Sequence, residues 1–334
     1  MPVTTPGTNY IYRGHKAAVT TLAWSPDGRY LASGSVDKTV QVWQIINGAL
    51  HYTFVGHTSP ITALAWNKEG INIASAGDQD GKVLVWNAFR GKQATGPTGQ
   101  HGKVLSLTWQ NLHFISTTTP DSIIFSSADD GTVQIWDARN EKSIYNNTGY
   151  GIIRTLLFYA PGSLLLAGDK HIISYWQIAR DENDLSQQPD YYNGHTGTIN
   201  ALAWIVEHNT FASASNDGTV RVWSTKFPPS SASPITTYRG HKGSVYAIAA
   251  YQGLIISAGQ DQGVQIWRFD TGRLLYTYTG HRAPIRALAM IPQWVNGAHT
   301  STAIPFVASA SDDGTVHVWR IPEKVLSATP IPLP

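Results

Sequence analysis

The sequence predicts an all-β chain made of one unit repeated seven times, and three observations carry that expectation. A Gly-His pair recurs at Gly14-His15, Gly56-His57, Gly194-His195, Gly240-His241 and Gly280-His281, with Gln100-His101 as a variant. Units end at Trp43, Trp86, Trp136, Trp176, Trp223, Trp267 and Trp319, with successive gaps of 43, 50, 40, 47, 44 and 52 residues. Periods of this size belong to repeat architectures, in which each unit buries its apolar surface against the next. Within each unit, finally, the apolar period is two, the period of a strand.

The elements of one unit follow in order. After each Gly-His comes an alternating apolar stretch, then a run of Ser, Ala and Gly, then an Asp turn and a V-x-V-W-like segment. In Thr39-Val40-Gln41-Val42-Trp43, Val40 and Val42 share one face, while Gln41 and Trp43 share the other. The same alternation appears at Val133/Ile135, Val220/Val222, Val264/Ile266 and Val316/Val318. Asp-Gly at 80–81, 130–131, 217–218 and 313–314 stands just before such a segment, where a tight hairpin needs a residue that tolerates positive φ. Four short antiparallel strands per unit are expected, and no amphipathic helix.

Composition excludes several function classes. The 334 residues carry 24 Lys+Arg against 22 Asp+Glu, a net +2 that does not suggest a nucleic-acid binder. With 42% hydrophobic and 11% aromatic residues the chain is not disordered. It has no cysteine, which removes disulfides, thiolate zinc sites and thiol nucleophiles. The first residues lack the basic-then-apolar pattern of a signal peptide, and no apolar run reaches the ~18 residues of a membrane helix. A soluble cytoplasmic protein is expected, which makes the Asn146-Asn147-Thr148 sequon incidental.

The repeated Gly-His, Asp-turn and Trp pattern resembles that of the WD40 repeat proteins over residues 8–320. The resemblance implies a seven-bladed β-propeller, each blade a four-stranded antiparallel sheet around a central channel. Asn9-Tyr10-Ile11-Tyr12-Arg13-Gly14-His15 matches Leu275-Tyr276-Thr277-Tyr278-Thr279-Gly280-His281, while the last unit supplies only three strands. By resemblance, the N-terminal strand 8–13 would finish the last blade and close the ring. One propeller domain over 1–322 is expected, followed by a tail or linker remnant at 323–334.

In this family the Gly-His histidine, a second-strand Ser or Thr, the turn Asp and the third-strand Trp form a hydrogen-bonded tetrad. Mapped by resemblance, the sets are His15, Ser33, Asp37, Trp43; His57, Ser75, Asp80, Trp86, with Ser75 one place out of register; and His101, Ser126, Asp130, Trp136. The later blades offer His195, Ser213, Asp217, Trp223; His241, Ser257, Asp261, Trp267; and His281, Ser309, Asp313, Trp319. The fourth unit departs: it reads Gly149-Tyr150-Gly151, has Lys170 at the Asp position with Asp169 one place off, and has Leu166 for the serine. A Ser/His/Asp set invites a hydrolase reading, but six copies beside a Trp read as braces, with no catalytic residue among them. No histidine or carboxylate spacing points to a metal, and no glycine loop points to a cofactor.

Function is then expected on the loops. By resemblance, three positions per blade point to the narrow top face, flanking the first apolar residue of the first strand and preceding the tetrad Asp. They are Ala18, Thr20, Val36; Pro60, Thr62, Gln79; Lys103, Leu105, Asp129; Ile152, Arg154, Asp169; Thr198, Asn200, Asn216; Ser244, Tyr246, Gln260; and Pro284, Arg286, Asp312. Lys103, Leu105, Asp129, Arg154, Asp169, Asn200, Asn216, Tyr246, Gln260, Arg286 and Asp312 form the candidate partner surface. Long insertions at 110–121, 291–305, 180–190 and 224–234 fall on the bottom face, the acidic 180–190 loop suiting a basic partner. The expected function is a non-catalytic protein-protein interaction scaffold, a monomeric propeller taking a peptide or protein segment on its top face. The alternatives are the regulatory or sensor domain of a larger signalling protein, for example one linked to a kinase, and an enzyme using the channel. Neither a nucleic acid nor a membrane is expected as partner.

Overall fold

The computed structural model describes residues 10–79, 81–91, 93–94, 102–110, 122–138, 143–147, 151–159, 164–177, 190–205, 209–225, 233–291, 294–295, 298–299 and 305–327. Asp80, His101, Gly149 and Tyr150 lie outside these residues, as do most of the four long insertions and residues 1–9 and 328–334.

The strands assemble into seven four-stranded antiparallel sheets. Their first strands are Val19–Trp24, Ile61–Trp66, Val104–Gln110, Thr155–Tyr159, Ile199–Ile205, Val245–Tyr251 and Ile285–Met290. Each touches the first strand of the next blade, and Ile285–Met290 touches Val19–Trp24, so the seven form a ring of blades. In blades 1 to 6 four consecutive strands make the sheet. In blade 7 the outermost strand is Tyr10–Tyr12, paired antiparallel with Val316–Arg320 through Tyr10↔Val318 and Tyr12↔Val316.

Burial explains the patterning of the third strand. Val40, Val42 and Trp43 in the strand Val40–Gln44 are all fully buried, although they point to opposite faces. A blade has a neighbour on both sides, so both faces of its middle strands must be apolar or internally satisfied. Among the described residues the core divides into seven clusters, one at each seam between adjacent blades. The third-strand Trp always faces the preceding blade: Trp86 packs with Val40 and Val42, and Trp267 with Val220 and Val222.

An aromatic ring from the preceding blade's outer strand covers that indole. Tyr12 stacks on Trp43 at 4.5 Å, Phe54 on Trp86 at 4.4 Å, Tyr238 on Trp267 at 4.5 Å and Tyr278 on Trp319 at 4.7 Å. This stacking also accounts for the glycine of the Gly-His pair. A Cβ at Gly14, Gly240 or Gly280 would run into the hydroxyl of Tyr12, Tyr238 or Tyr278.

Helix is present after all, as the single turn Glu323–Leu326. Its Val325 is 1% exposed and packs with Leu254, Trp319 and Ile321, so the first residues of the segment assigned to a tail belong to the packed body. No described helix is long and apolar enough to cross a membrane.

Deleting residues 1–13 would uncover Trp43 and leave Val316–Arg320 as an unpaired edge. The truncated chain should melt several degrees lower and self-associate, as read by calorimetry and sedimentation velocity. An unchanged melting temperature in a monomeric truncation would contradict this.

Candidate functional site

Two groups of side chains qualify as sites, the tetrads and the channel mouth. In blade 5, Trp223 Nε1 donates to Ser213 Oγ at 2.8 Å, and Ser213 Oγ lies 2.8 Å from His195 Nε2. His195 Nδ1 lies 2.7 Å from Asp217 Oδ2. Every hydrogen finds an acceptor if the donors run in one direction, Trp to Ser to His to Asp, with the imidazole proton on Nδ1. Asp217 also accepts from the Thr196 amide at 3.1 Å and from the Thr219 hydroxyl at 2.6 Å, which ties the Gly-His turn to the second hairpin.

Blade 1 repeats the whole relay through His15, Ser33, Asp37 and Trp43, and blade 6 through His241, Ser257, Asp261 and Trp267. In blade 3, Trp136 donates to Ser126 at 2.8 Å and Asp130 accepts from Thr132. All six serines are fully buried. An oxygen that no solvent reaches, and that already serves a histidine, an indole or both, is not placed as a nucleophile.

Three irregularities correct the sequence mapping. Ser75 is not out of register: His57 Nε2 lies 2.8 Å from its Oγ, and Trp86 donates to it at 3.0 Å. The spacing from Ser75 to Trp86 is one longer than elsewhere because the intervening turn holds one more residue. In blade 4 the serine position belongs to Ala167 and not to Leu166. Leu165 pairs with Trp176 and Ala167 with Ser174, as Phe211 pairs with Trp223 and Ser213 with Arg221. Leu166 instead faces blade 5, packing on Trp223. In blade 7, His281 reaches Ser309 at 2.9 Å and Asp313 at 3.0 Å, but Trp319 Nε1 is buried without a hydrogen-bond partner among the described residues.

Electrostatics follow from this burial. Burial pushes the His15, His195 and His281 pKa values below 6.5, against the upward pull of their Asp partners. Burial would raise Asp217, but hydrogen bonds from Thr219 and His195 outweigh it and hold the carboxyl at about 2; Asp313 behaves alike. Blade 7 adds His317, whose ring stacks on His281 at 3.8 Å while its Nδ1 lies 2.9 Å from the Tyr278 hydroxyl. Burial and the neighbouring His281 lower its pKa to about 4. Blades 1 and 6 place Gln41 and Gln265 at this position, each accepting from the tyrosine hydroxyl.

His281, Asp313 and His317 bring potential ligand atoms within 4.8 Å of one another, a cluster the sequence reading did not find. His281 Nδ1 and Nε2 are already engaged by Asp313 and Ser309, and His317 Nδ1 by Tyr278.

A recurrent bulge builds the mouth. In six blades the register between first and second strands slips by one residue, between Val19 and Thr21, Ile61 and Ala63, Val104 and Ser106, Ile199 and Ala201, Val245 and Ala247, and Ile285 and Ala287. The residues left over are Thr20, Thr62, Leu105, Asn200, Tyr246 and Arg286, all of them expected rim positions. A bulge leaves one residue outside the ladder and re-aims its side chain. In blade 4 the register is continuous and Arg154 stands just before the strand Thr155–Tyr159.

Part of this rim is spent on the fold. Thr20, Thr62 and Asn200 donate to the carbonyls of Ile61, Val104 and Val245 in the next blade at 2.6, 2.6 and 2.8 Å. Asn200 also donates to Asn216 at 2.7 Å. Arg286 makes a two-pronged ion pair with Asp312, and its guanidinium lies 4.6 Å from the Tyr246 ring centre. Lys103 pairs with Asp78, while its amide donates to Asp129 at 2.8 Å. Gln260 accepts from the Ser244 amide at 3.2 Å. Asp169 keeps one buried carboxylate oxygen without a partner among the described residues.

A cavity of about 360 Å³ opens among Thr20, Val36, Pro60, Ile61, Thr62, Asp78, Lys103, Leu105, Arg154 and Asn200. It spans blades 1 to 5, and only Ile61 and Asp78 in that lining were not expected at the rim. Arg154 is exposed there and has no ion-pair partner among the described residues. Tyr246, Gln260, Arg286, Asp129, Asp169, Asn216 and Asp312 do not line it.

Comparisons with known proteins agree with the repeat. The profile of the family described as WD domain, G-beta repeat (WD40) matches residues 7–44, 48–87, 95–137, 186–224, 232–268 and 272–320. The unmatched stretch holds blade 4. The chain is similar to Denticleless protein homolog A of Xenopus laevis, 24% identical over 341 residues that cover 93% of this chain and 42% of that protein. It is also similar to THO complex subunit 3 of Arabidopsis thaliana, 26% identical over 93% of this chain and 78% of that one. With apoptotic protease-activating factor 1 of Rattus norvegicus it shares 21% identity over 79% of this chain and 23% of that protein.

Two predictions come from the tetrads. Asp217→Ala removes the acceptor of His195 and should cost about 1–3 kcal/mol in denaturant unfolding, while Asp169→Ala should cost under about 1. Equal losses would contradict the difference between the two blades. The histidines and the aspartates with lowered pKa bind fewer protons folded than unfolded, so acidification should destabilise the protein. For His317 the loss develops as pH falls from 6.5 to about 4. His317→Gln keeps an acceptor for Tyr278 and should reduce the stability lost by pH 4 by on the order of 2 kcal/mol. Superimposable stability-pH curves for the two proteins would refute it.

Proposed function

Because this chain belongs to the WD domain, G-beta repeat (WD40) family, we propose that it is a non-catalytic scaffold that binds a peptide or protein segment on its top face. The observation that carries the reading is the cavity at the channel mouth, to which the bulges contribute Thr20, Thr62, Leu105 and Asn200. It joins apolar walls, Val36, Pro60 and Leu105, to convergent polar groups, Lys103, Arg154 and Asn200, the mixture that anchors a side chain in a pocket. The buried Ser/His/Asp sets leave no substrate access, which supports a binding and not a hydrolytic role. The name of one relative, a THO complex subunit, fits work inside an assembly.

A second reading, the regulatory or sensor propeller of a larger protein, has its own support: the chain spans 42% of the length of the Denticleless homologue it matches. Both readings place the partner on the same face.

Leu105→Ala combined with Arg154→Ala should weaken capture of a partner recovered by affinity purification by roughly 2 kcal/mol or more in calorimetric titration. The melting temperature should stay unchanged, since Arg154 is exposed and Leu105 stands outside the ladder. Full affinity in this double variant would move the site off the mouth.

A further inference from the structure

The top face is not electrically uniform. In blades 6, 7 and 1, consecutive around the ring, six basic residues stand exposed at its outer edge: Arg239, Lys242, Arg282, Arg13, Lys16 and Lys38. Five of them flank Gly-His turns, and Lys38 follows the turn Asp37. None has an ion-pair partner among the described residues.

The acids of the same sector are turned inward. Asp37, Asp261 and Asp313 face their tetrad histidines and accept from the backbone amides of Lys16, Lys242 and Arg282 at 3.0, 3.2 and 3.0 Å. Asp312 is held by Arg286. The backbone of these turns is therefore anchored while the cationic side chains extend outward.

The fold does not require cations at these positions. Blades 2 and 5 place Thr58 and Thr196 directly after the tetrad histidine, and blade 3 places Gly102 there. The Thr196 amide reaches Asp217 at 3.1 Å, as the Lys16 amide reaches Asp37. A neutral residue serves the brace equally well, so the charge is surplus to folding and its mutual repulsion works against the compact state.

We propose that the top edge of blades 6, 7 and 1 docks an acidic protein segment, one rich in Asp and Glu. The proposal rests on the top-face reading above and adds the chemistry of the partner. Six unpaired cations along one arc give the complementary field that steers and orients such a segment. A single-stranded nucleic acid, the other polyanion, would want exposed rings for its bases. None of the six residues is aromatic, and the Tyr246 ring nearby is covered by Arg286.

The test uses the full chain and a fluorescein-labelled decapeptide of alternating Glu and Gly, read by anisotropy at low and physiological salt. The arc variant is Lys16→Glu, Lys242→Glu and Arg282→Glu. A control variant, Lys68→Glu, Arg90→Glu and Arg273→Glu, changes the net charge equally at exposed positions on the opposite edge. Wild-type binding should weaken with salt, the arc variant should lose at least about tenfold in affinity, and the control should lose less than about threefold. Equal losses in the two variants would reduce the effect to net charge and overturn the proposal. So would absence of wild-type binding at low salt, or tighter binding of a decauridylate than of the peptide. If the arc variant binds the peptide normally while Leu105→Ala with Arg154→Ala loses its captured partner, the arc fails and the mouth reading stands. Loss in the arc variant with full capture by the mouth variant has the opposite meaning.

Discussion

The structure depends on what a buried indole demands. Each third-strand tryptophan is nearly or wholly out of water, pressed against the preceding blade and, in four seams, roofed by an aromatic ring stacked at 4.4–4.7 Å. Burying that much apolar surface at every seam is the main attraction between blades. It also strands an N–H in the interior, and the serine, histidine and aspartate relay answers it. One chain of hydrogen bonds thus runs from the seam to the top-face turns, linking core packing to loop position.

The same economy explains the exceptions. Blade 4 has Ala167 where the serine would be, and Gly168 follows it closely under Ile199. The seam between blades 3 and 4, which Ala167 and Trp176 face, leans on Phe125 and Phe158, stacked at 5.2 Å. Blade 7 keeps its histidine and aspartate but adds a second imidazole against the first, an arrangement stable only while both rings stay neutral. Redundancy across seven seams tolerates the incomplete braces of blades 4 and 7, because each seam contributes separately to the ring.

The top face inherits its shape from the bulges. A regular ladder would send alternate residues to the two seams and none to the channel mouth. Six repeated slips expose Thr20, Thr62, Leu105, Asn200, Tyr246 and Arg286, and the fold then uses half of them to tie one blade to the next. The remaining rim divides: Leu105, Lys103 and Arg154 surround a cavity, whereas Tyr246, Arg286 and Asp312 satisfy one another.

What the sequence by itself determined is the repeat, its strand period and the residues that brace it. The repeat and its period follow from local chemistry, a valine pair two apart before a recurring tryptophan, and the bracing residues from the resemblance of that pattern to the WD40 repeat. Registers that depend on turn length were beyond it. Ser75 looked displaced and Leu166 looked equivalent to a serine, because a turn longer or shorter by one residue shifts the count without shifting the ladder. The tertiary structure alone decided which rim residues are free. Arg286 and Tyr246 read as ready contacts in one dimension, yet they come from different blades and meet at 4.6 Å. The crowding of His317 against His281 is equally invisible along the chain, where 36 positions separate them. Pairing across a ring is set by how blades pack, and charge is spent or left free only where that packing brings opposite groups together.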